Sequence, residues 1–270
     1  MNKCYIFIVV FFINTIAFSD SEILLKKLIN TNECIECDLS NLELKGVKFW
    51  NANISQSDFT KTILTKSNLQ GANLSDVNFT ETVLIRGQLQ AANLNNTNFE
   101  KARATASDLS GASLLEAKLN NADFRGANMQ AVEFTNGEAI NSNMKLTNFT
   151  GANLSNSNFS NSDFTDVDFT GANLQGVNFS GANLNNANFS GANLSNVNFT
   201  DASISNTKFI SSNLSNIDFN NINISQASFE DIFFCGKRLI GKISAGSILD
   251  GIITEDKEDN SSILMFLNCK

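Results

Sequence analysis

From Leu39 to Phe234, every fifth residue of this chain is apolar and nearly every one is large. The row has forty positions: seventeen Phe, sixteen Leu, three Ile and two Met, with Ala104 and Ala139 as its small members. A second row runs two residues earlier, from Cys37 to Ile232, and holds only Ala, Ser, Val, Thr, Ile, Gly, Cys37 and Leu42. Neither row contains Asp, Glu, Lys, Arg, Asn or Gln, although 17% of the chain is charged. Two inward residues separated by one outward residue is the alternation of extended chain. A strict period of five then requires a turn after each short straight piece. A period of two would give ordinary strands, and a period of 3.6 would give helices, which the Asn, Ser and Gly content opposes.

A longer period counts the sides. Phe149, Phe169, Phe189 and Phe209 are spaced by twenty, as are Phe159, Phe179 and Phe199, and Leu154, Leu174 and Leu194. Like side chains recur every four pentapeptides, so the expected coil has four sides and stacked ladders inside it. Forty pentapeptides make about ten coils, and at the ~4.8 Å spacing of neighbouring strands the rod is roughly 48 Å long.

Runs such as GANLQGVNFSGANLNNANFSGANLSNVNF, starting at Gly171, resemble the pentapeptide-repeat family, whose repeat is Ala-(Asp/Asn)-Leu-x-x. The resemblance covers residues 37–236 without a slip of register. It implies an all-β fold, a right-handed quadrilateral β-helix. That hand agrees with the general preference of parallel crossovers. It does not imply one function, because a fold alone does not license one.

The flanks carry their own signals. Lys3 and the apolar run Tyr5–Ile13, with small residues at Ala17 and Ser19, have the form of a signal peptide over residues 1–19. The run is shorter than the ~20 apolar residues that span a bilayer. The expected location is therefore outside the cytoplasm, periplasmic or secreted, without stable membrane insertion after cleavage. A solenoid needs capped ends. Residues 20–36 form the expected N-terminal cap, in which Leu24, Leu25, Leu28 and Ile29 give a short helix one apolar face. Residues 237–270, beyond the repeats, form an irregular C-terminal cap.

Cys4 leaves with the signal, and an even number of cysteines in an exported chain favours disulfides. Cys34 and Cys37 adjoin the first coil, while Cys235 and Cys269 bracket the last segment. The two pairs sit at opposite ends of the rod, which excludes one four-cysteine zinc site and leaves pairing within each end as the simple connectivity. Closing the 235–269 loop contributes roughly 4 kcal/mol in the loop-entropy picture. A redox role for Cys34-x-x-Cys37 is the alternative, although the βαβ context of thioredoxin-like motifs is missing. Secreted members of the family resemble this chain here too, with a C-x-x-C before the first repeat and two cysteines in the tail.

Catalysis has no visible foothold. The chain has no histidine and no phosphate loop, its hydroxyls have no base beside them, and Asp163, Asp166 and Asp168 read as a solvated edge. No catalytic, cofactor or metal residue is expected. The formal charge of −8 disfavours nucleic acid as a partner. The family's best-known role, binding type II topoisomerases by imitating DNA, needs dense negative charge. Residues 146–227 carry only Asp163, Asp166, Asp168, Asp201 and Asp218 against Lys208. Ice or polysaccharide binding would use a flat hydroxyl-rich face, but the rows Thr150, Thr170, Ser190, Ile210 and Ser160, Ser180, Thr200, Asn220 are mixed. What remains is a non-catalytic rod with a structural or protein-interaction role. Its partner would be a protein or a surface, or a second copy met through an end cap. Trp50 and the low-consensus stretch 131–145 are the expected surface irregularities.

Overall fold

A computed structural model describes residues 18–234 except 218, 220, 221 and 225, together with residues 237–238 and 242–243. The chain opens with one helix, α1 (Phe18–Thr31), and then winds into coils of twenty residues. Every parallel bridge joins residues twenty apart, from Glu33↔Asn53 to Asn213↔Phe233. Bridges recur every five residues, so each coil has four sides. We name the sides after Phe149, Leu154, Phe159 and Phe164, which stand at their centres.

The quintet Ala72–Asp76 shows why the consensus has its form. The Asn73 N–H donates to Ala52 O of the preceding coil at 2.8 Å, and the Leu74 N–H to Asn93 O of the following coil at 2.8 Å. The Asp76 N–H donates to Asn95 O at 2.9 Å, and the Ala72 N–H closes the turn onto Leu69 O at 3.0 Å. One donor is left, the N–H of Ser75, and the side-chain Oδ1 of Asn73 accepts it at 3.3 Å. All five donors are thus satisfied within a segment too short to form a conventional strand. An Asn or Asp before the central apolar residue is therefore a backbone acceptor, the Asx-turn use of these residues.

Each corner needs a residue in the left-handed region. Every fifth residue from Glu36 to Asn216 has φ between +53° and +69°. Asn, Asp and Gly tolerate this best, but Lys66, Arg86 and Leu146 adopt it as well. The corner N–H in turn donates to the next coil, as from Lys66 to Ile85 O at 2.9 Å, which holds even an unfavourable residue in place.

The interior is lined by buried aromatic and aliphatic side chains. Phe149, Phe169, Phe189 and Phe209 are buried and stack face to face, with centroids 5.0–5.4 Å apart. Phe159, Phe179 and Phe199 form a second column at 5.6 and 5.8 Å. The columns meet edge to face, as in Phe189–Phe199 at 75°. Such pairs contribute about 0.5–1.5 kcal/mol each beyond their burial. Leu154, Leu174 and Leu194 are also buried.

The second column is interrupted at Leu119 and Ala139, and aromatic residues from adjacent sides fill the space. Phe124 meets Phe99 edge-on at 5.8 Å, and Phe134 stacks on Phe159 at 5.4 Å. The Phe134 ring occupies the room beside Gly137, where an added Cβ would lie 2.3 Å from its Cζ. The bridges Glu133↔Asn153, Glu138↔Asn158 and Asn143↔Asp163 continue unbroken through this stretch. The expected irregularity of residues 131–145 is therefore a repacking of the interior, with no disturbance of the backbone.

At the N-terminal end α1 covers the first coil. Leu25 and Leu28 are buried and Leu24 is packed against the core, but Ile29 is 48% exposed. This corrects the expected apolar face. Ile29 lies about 100° around the helix from Leu28, at the centre of the buried stripe, and so turns out of the contact. At the other end the chain reverses. The strands β1 (Lys208–Ile210) and β2 (Ser228–Glu230) pair in parallel. The next pairings are antiparallel, β2 with β5 (Lys242–Ile243) and β3 (Phe233–Phe234) with β4 (Lys237–Arg238). The expected signal peptide over residues 1–19 falls outside the described residues except for its last two positions, which begin α1.

Candidate functional site

Among the described residues no group of three or more His, Cys, Asp or Glu side chains could hold a metal ion. The densest carboxylates have a structural use. Asp163 Oδ1 accepts the Thr165 N–H at 3.0 Å, and Asp168 Oδ1 accepts the Thr170 N–H at 2.9 Å. Asp166 Oδ1 accepts from Asn186 Nδ2 at 2.8 Å. Each therefore acts as a neutral Asn does elsewhere in the rod.

Cys34 and Cys37 form a disulfide with Cα atoms 5.7 Å apart, and both residues are buried beneath α1. Cys34 Sγ lies 3.8 Å from Leu24 O. Cys235 and Cys269 fall outside the described residues. No helix among the described residues is long and apolar enough to cross a membrane.

The distinctive outer surface is the Leu154 side. Asn213 Nδ2 donates to Asn193 Oδ1 at 3.0 Å, Asn193 to Asn173 and Asn173 to Asn153 at 3.1 Å each, and Asn153 to Glu133 Oε2 at 2.9 Å. Between Asn153 and Asn216 this side carries no charge. Ser155, Gln175, Ser195 and Ser215 run beside the amide ladder, and their N–H groups are taken up by it. The result is a rigid, flat, uncharged strip of amides and hydroxyls. Sequence reasoning identified the neutral surface but missed the ladder. The signal was an Asn or Asp recurring every twenty residues in the position before the central apolar residue.

The Thr150 and Thr170 hydroxyls donate to Asn148 and Asp168 Oδ1, so this row does not offer free hydroxyl protons to solvent. Trp50, expected to face outward, is 58% exposed. Charge is concentrated in the first half of the rod. There burial alone would raise the Asp123 carboxyl, but hydrogen bonds from Arg125 and the charges of Arg125 and Arg103 hold it below the usual range.

The sequence matches the family model described as pentapeptide repeats, in eight copies over residues 43–81, 88–126, 127–166, 162–201 and 202–236. Among solved structures, HetL is a pentapeptide repeat protein involved in heterocyst differentiation regulation, from the cyanobacterium Nostoc sp. strain PCC 7120. It superposes with a TM-score of 0.55 at 21% identity, over 80% of this chain and 97% of its own. QnrB1, a plasmid-mediated fluoroquinolone resistance protein, matches at 18% identity over 73% of this chain and 91% of its own, with a TM-score of 0.36. No curated protein matches significantly. The likeness to HetL is one of fold. Family match, twenty-residue coils and Asx-bonded quintets agree: this chain belongs to the pentapeptide-repeat family.

Proposed function

We propose that the mature protein is an exported, non-catalytic rod that recognises a protein partner through the uncharged strip on its Leu154 side. The coil is right-handed and has about ten turns, a reading that rests on the family resemblance and on the hand of parallel crossovers. The observation that carries the functional reading is the asparagine ladder from Asn153 to Asn213. Its amides are held by one another and by the backbone, so a partner meets a pre-ordered surface and loses little side-chain entropy on binding. Without local charge there is little electrostatic steering. Export rests on the form of residues 1–19, which favours the periplasm or the exterior.

A pull-down with mature protein from the exported compartment, with localisation of a tagged copy as control, tests the reading. We expect a protein captured with little dependence on salt, and no capture when Asn173→Lys and Asn193→Lys place charge on the strip. Retention of the tagged protein in the cytoplasm, or capture indifferent to these substitutions, would refute it. Imitation of DNA fits less well, because residues 146–227 carry five acids and one base, against one charge per ~1.7 Å in duplex DNA.

A further inference from the structure

The acceptor row fails over three successive coils on the Phe164 side. Ile63, Val83 and Arg103 stand where the consensus has Asn or Asp, and they are ladder neighbours of one another. The N–H groups of Thr65, Ile85 and Thr105, which the consensus side chain would accept, have no acceptor among the described residues. These donors are stacked along the rod axis at the ~4.8 Å strand spacing. Lys66 and Arg86 occupy the adjoining corners and, like Arg103, are exposed.

No carboxylate falls within the three quintets 62–66, 82–86 and 102–106, in a chain with 27 acids. Of the acids bounding the patch, Asp108 on the adjoining side accepts hydrogen bonds from Ser110, Gln90 and Asn128, and the others are ion-paired. Glu43 is bonded to Lys45, Asp123 lies 2.7 Å from Arg125, and Glu81 on the neighbouring corner lies 3.9 Å from Lys61. Outward apolar residues also gather here. Ile63, Val83 and Ile85 are half-buried and lie between the cations.

We propose that this face binds an acidic polysaccharide lying along the rod. The proposal is independent of the uncharged strip on the Leu154 side. Aligned main-chain donors flanked by Lys and Arg suit carboxylate or sulfate oxygens, as in other backbone anion sites. The half-buried aliphatic side chains form a low C–H surface on which sugar rings can rest. A repeating ligand meets a repeating donor row. An anionic bilayer fits less well, because the apolar side chains of the patch, Ile63, Val83 and Ile85, are half-buried and cannot insert among acyl chains.

Isothermal titration of the mature protein with oligogalacturonate at low salt tests this, with neutral dextran as control. We expect oligogalacturonate to bind with an affinity that falls as salt rises, and dextran not to bind. Lys66→Gln, Arg86→Gln and Arg103→Gln together should weaken binding at least tenfold. Ile63→Asn with Val83→Asn should also weaken it at least tenfold at unchanged charge, because the new amides take up the N–H groups of Thr65 and Ile85, two of the three donors in the row. This pair installs the consensus residue, so the fold and melting temperature should be retained. Failure of wild-type protein to bind oligogalacturonate would overturn the proposal, as would wild-type affinity in the Asn pair. Tighter binding of phosphatidylserine vesicles or polyglutamate than of oligogalacturonate would overturn it equally.

Discussion

Gly137 offers a sharp test of how the interior is filled. Its φ is not positive, so the backbone itself would accept alanine. The obstacle is the Phe134 ring, which an added methyl would meet at 2.3, 2.5 and 2.7 Å. Carbon atoms prefer ~3.5–4.0 Å, so the ring must move by more than about 1 Å. It has little freedom to do so, being 1% exposed and stacked on Phe159 at 5.4 Å. Overpacking of this kind costs about 1–3 kcal/mol. The reduced freedom of the unfolded chain offsets some 0.4–1 kcal/mol, leaving a net loss of about 1–2 kcal/mol for Gly137→Ala. Phe134→Leu restores the leucine found at Leu114 and Leu154 on the same side, and in that background the methyl has room. The double variant should therefore be no less stable than Phe134→Leu alone, with a coupling energy of about 1–2 kcal/mol. Guanidinium denaturation followed by circular dichroism, on all four members of the cycle, measures this. Full stability of Gly137→Ala, or strict additivity in the cycle, would show that the ring does not fill this space.

Other outcomes follow from the same geometry. Leu146 holds φ +60° at a corner while 63% exposed, so Leu146→Asn should raise stability by up to about 1 kcal/mol, read as a higher melting temperature. The Ser67 hydroxyl is buried without a partner, whereas Thr82 Oγ1 donates to Phe59 O at 2.6 Å. Ser67→Ala should be neutral or stabilising and Thr82→Val should cost about 1 kcal/mol, a contrast that chemical denaturation can resolve. Burial alone would raise the Asp108 carboxyl, but hydrogen bonds from Ser110, Gln90 and Asn128 outweigh it and hold the carboxyl below its ordinary value. Its stabilisation is therefore present above the unfolded value of ~3.9 and lost as pH falls through the depressed folded value. Carbon-detected NMR titration should place Asp108 below 3.9, and Asp108→Asn should lessen the loss of stability over that acid window.

Most of the coil was readable in the sequence because burial imposes a strict rule that polar side chains cannot evade. The row through Phe149, Phe169 and Phe189 announces itself by composition alone. The functional surface was harder to read, because outward residues obey weaker constraints. Asn73 or Asn173 looks like a generic polar residue until the N–H two positions later is considered, and only then does its amide become that donor's acceptor. The corners left a fainter trace: no Val, Ile, Thr or aromatic residue occupies any of these positions from Glu36 to Asp231, as a left-handed φ demands. The Phe134–Gly137–Ala139 exchange could not be read at all from a single row, because it couples two sides of one coil. The exposure of Ile29 escaped because a helix of fourteen residues offers more apolar positions than its narrow contact can use.

The four-by-five geometry separates two properties that most folds tie together. Gain or loss of a single pentapeptide preserves every inward position, so the interior survives, yet it rotates everything downstream by a quarter turn. The amide strip would then swing onto a different flank from the cationic patch, while the core stays filled throughout. Sequence drift by fives can thus re-aim the rod's surfaces while its stability stays nearly constant, and only steps of twenty leave the surface map unchanged.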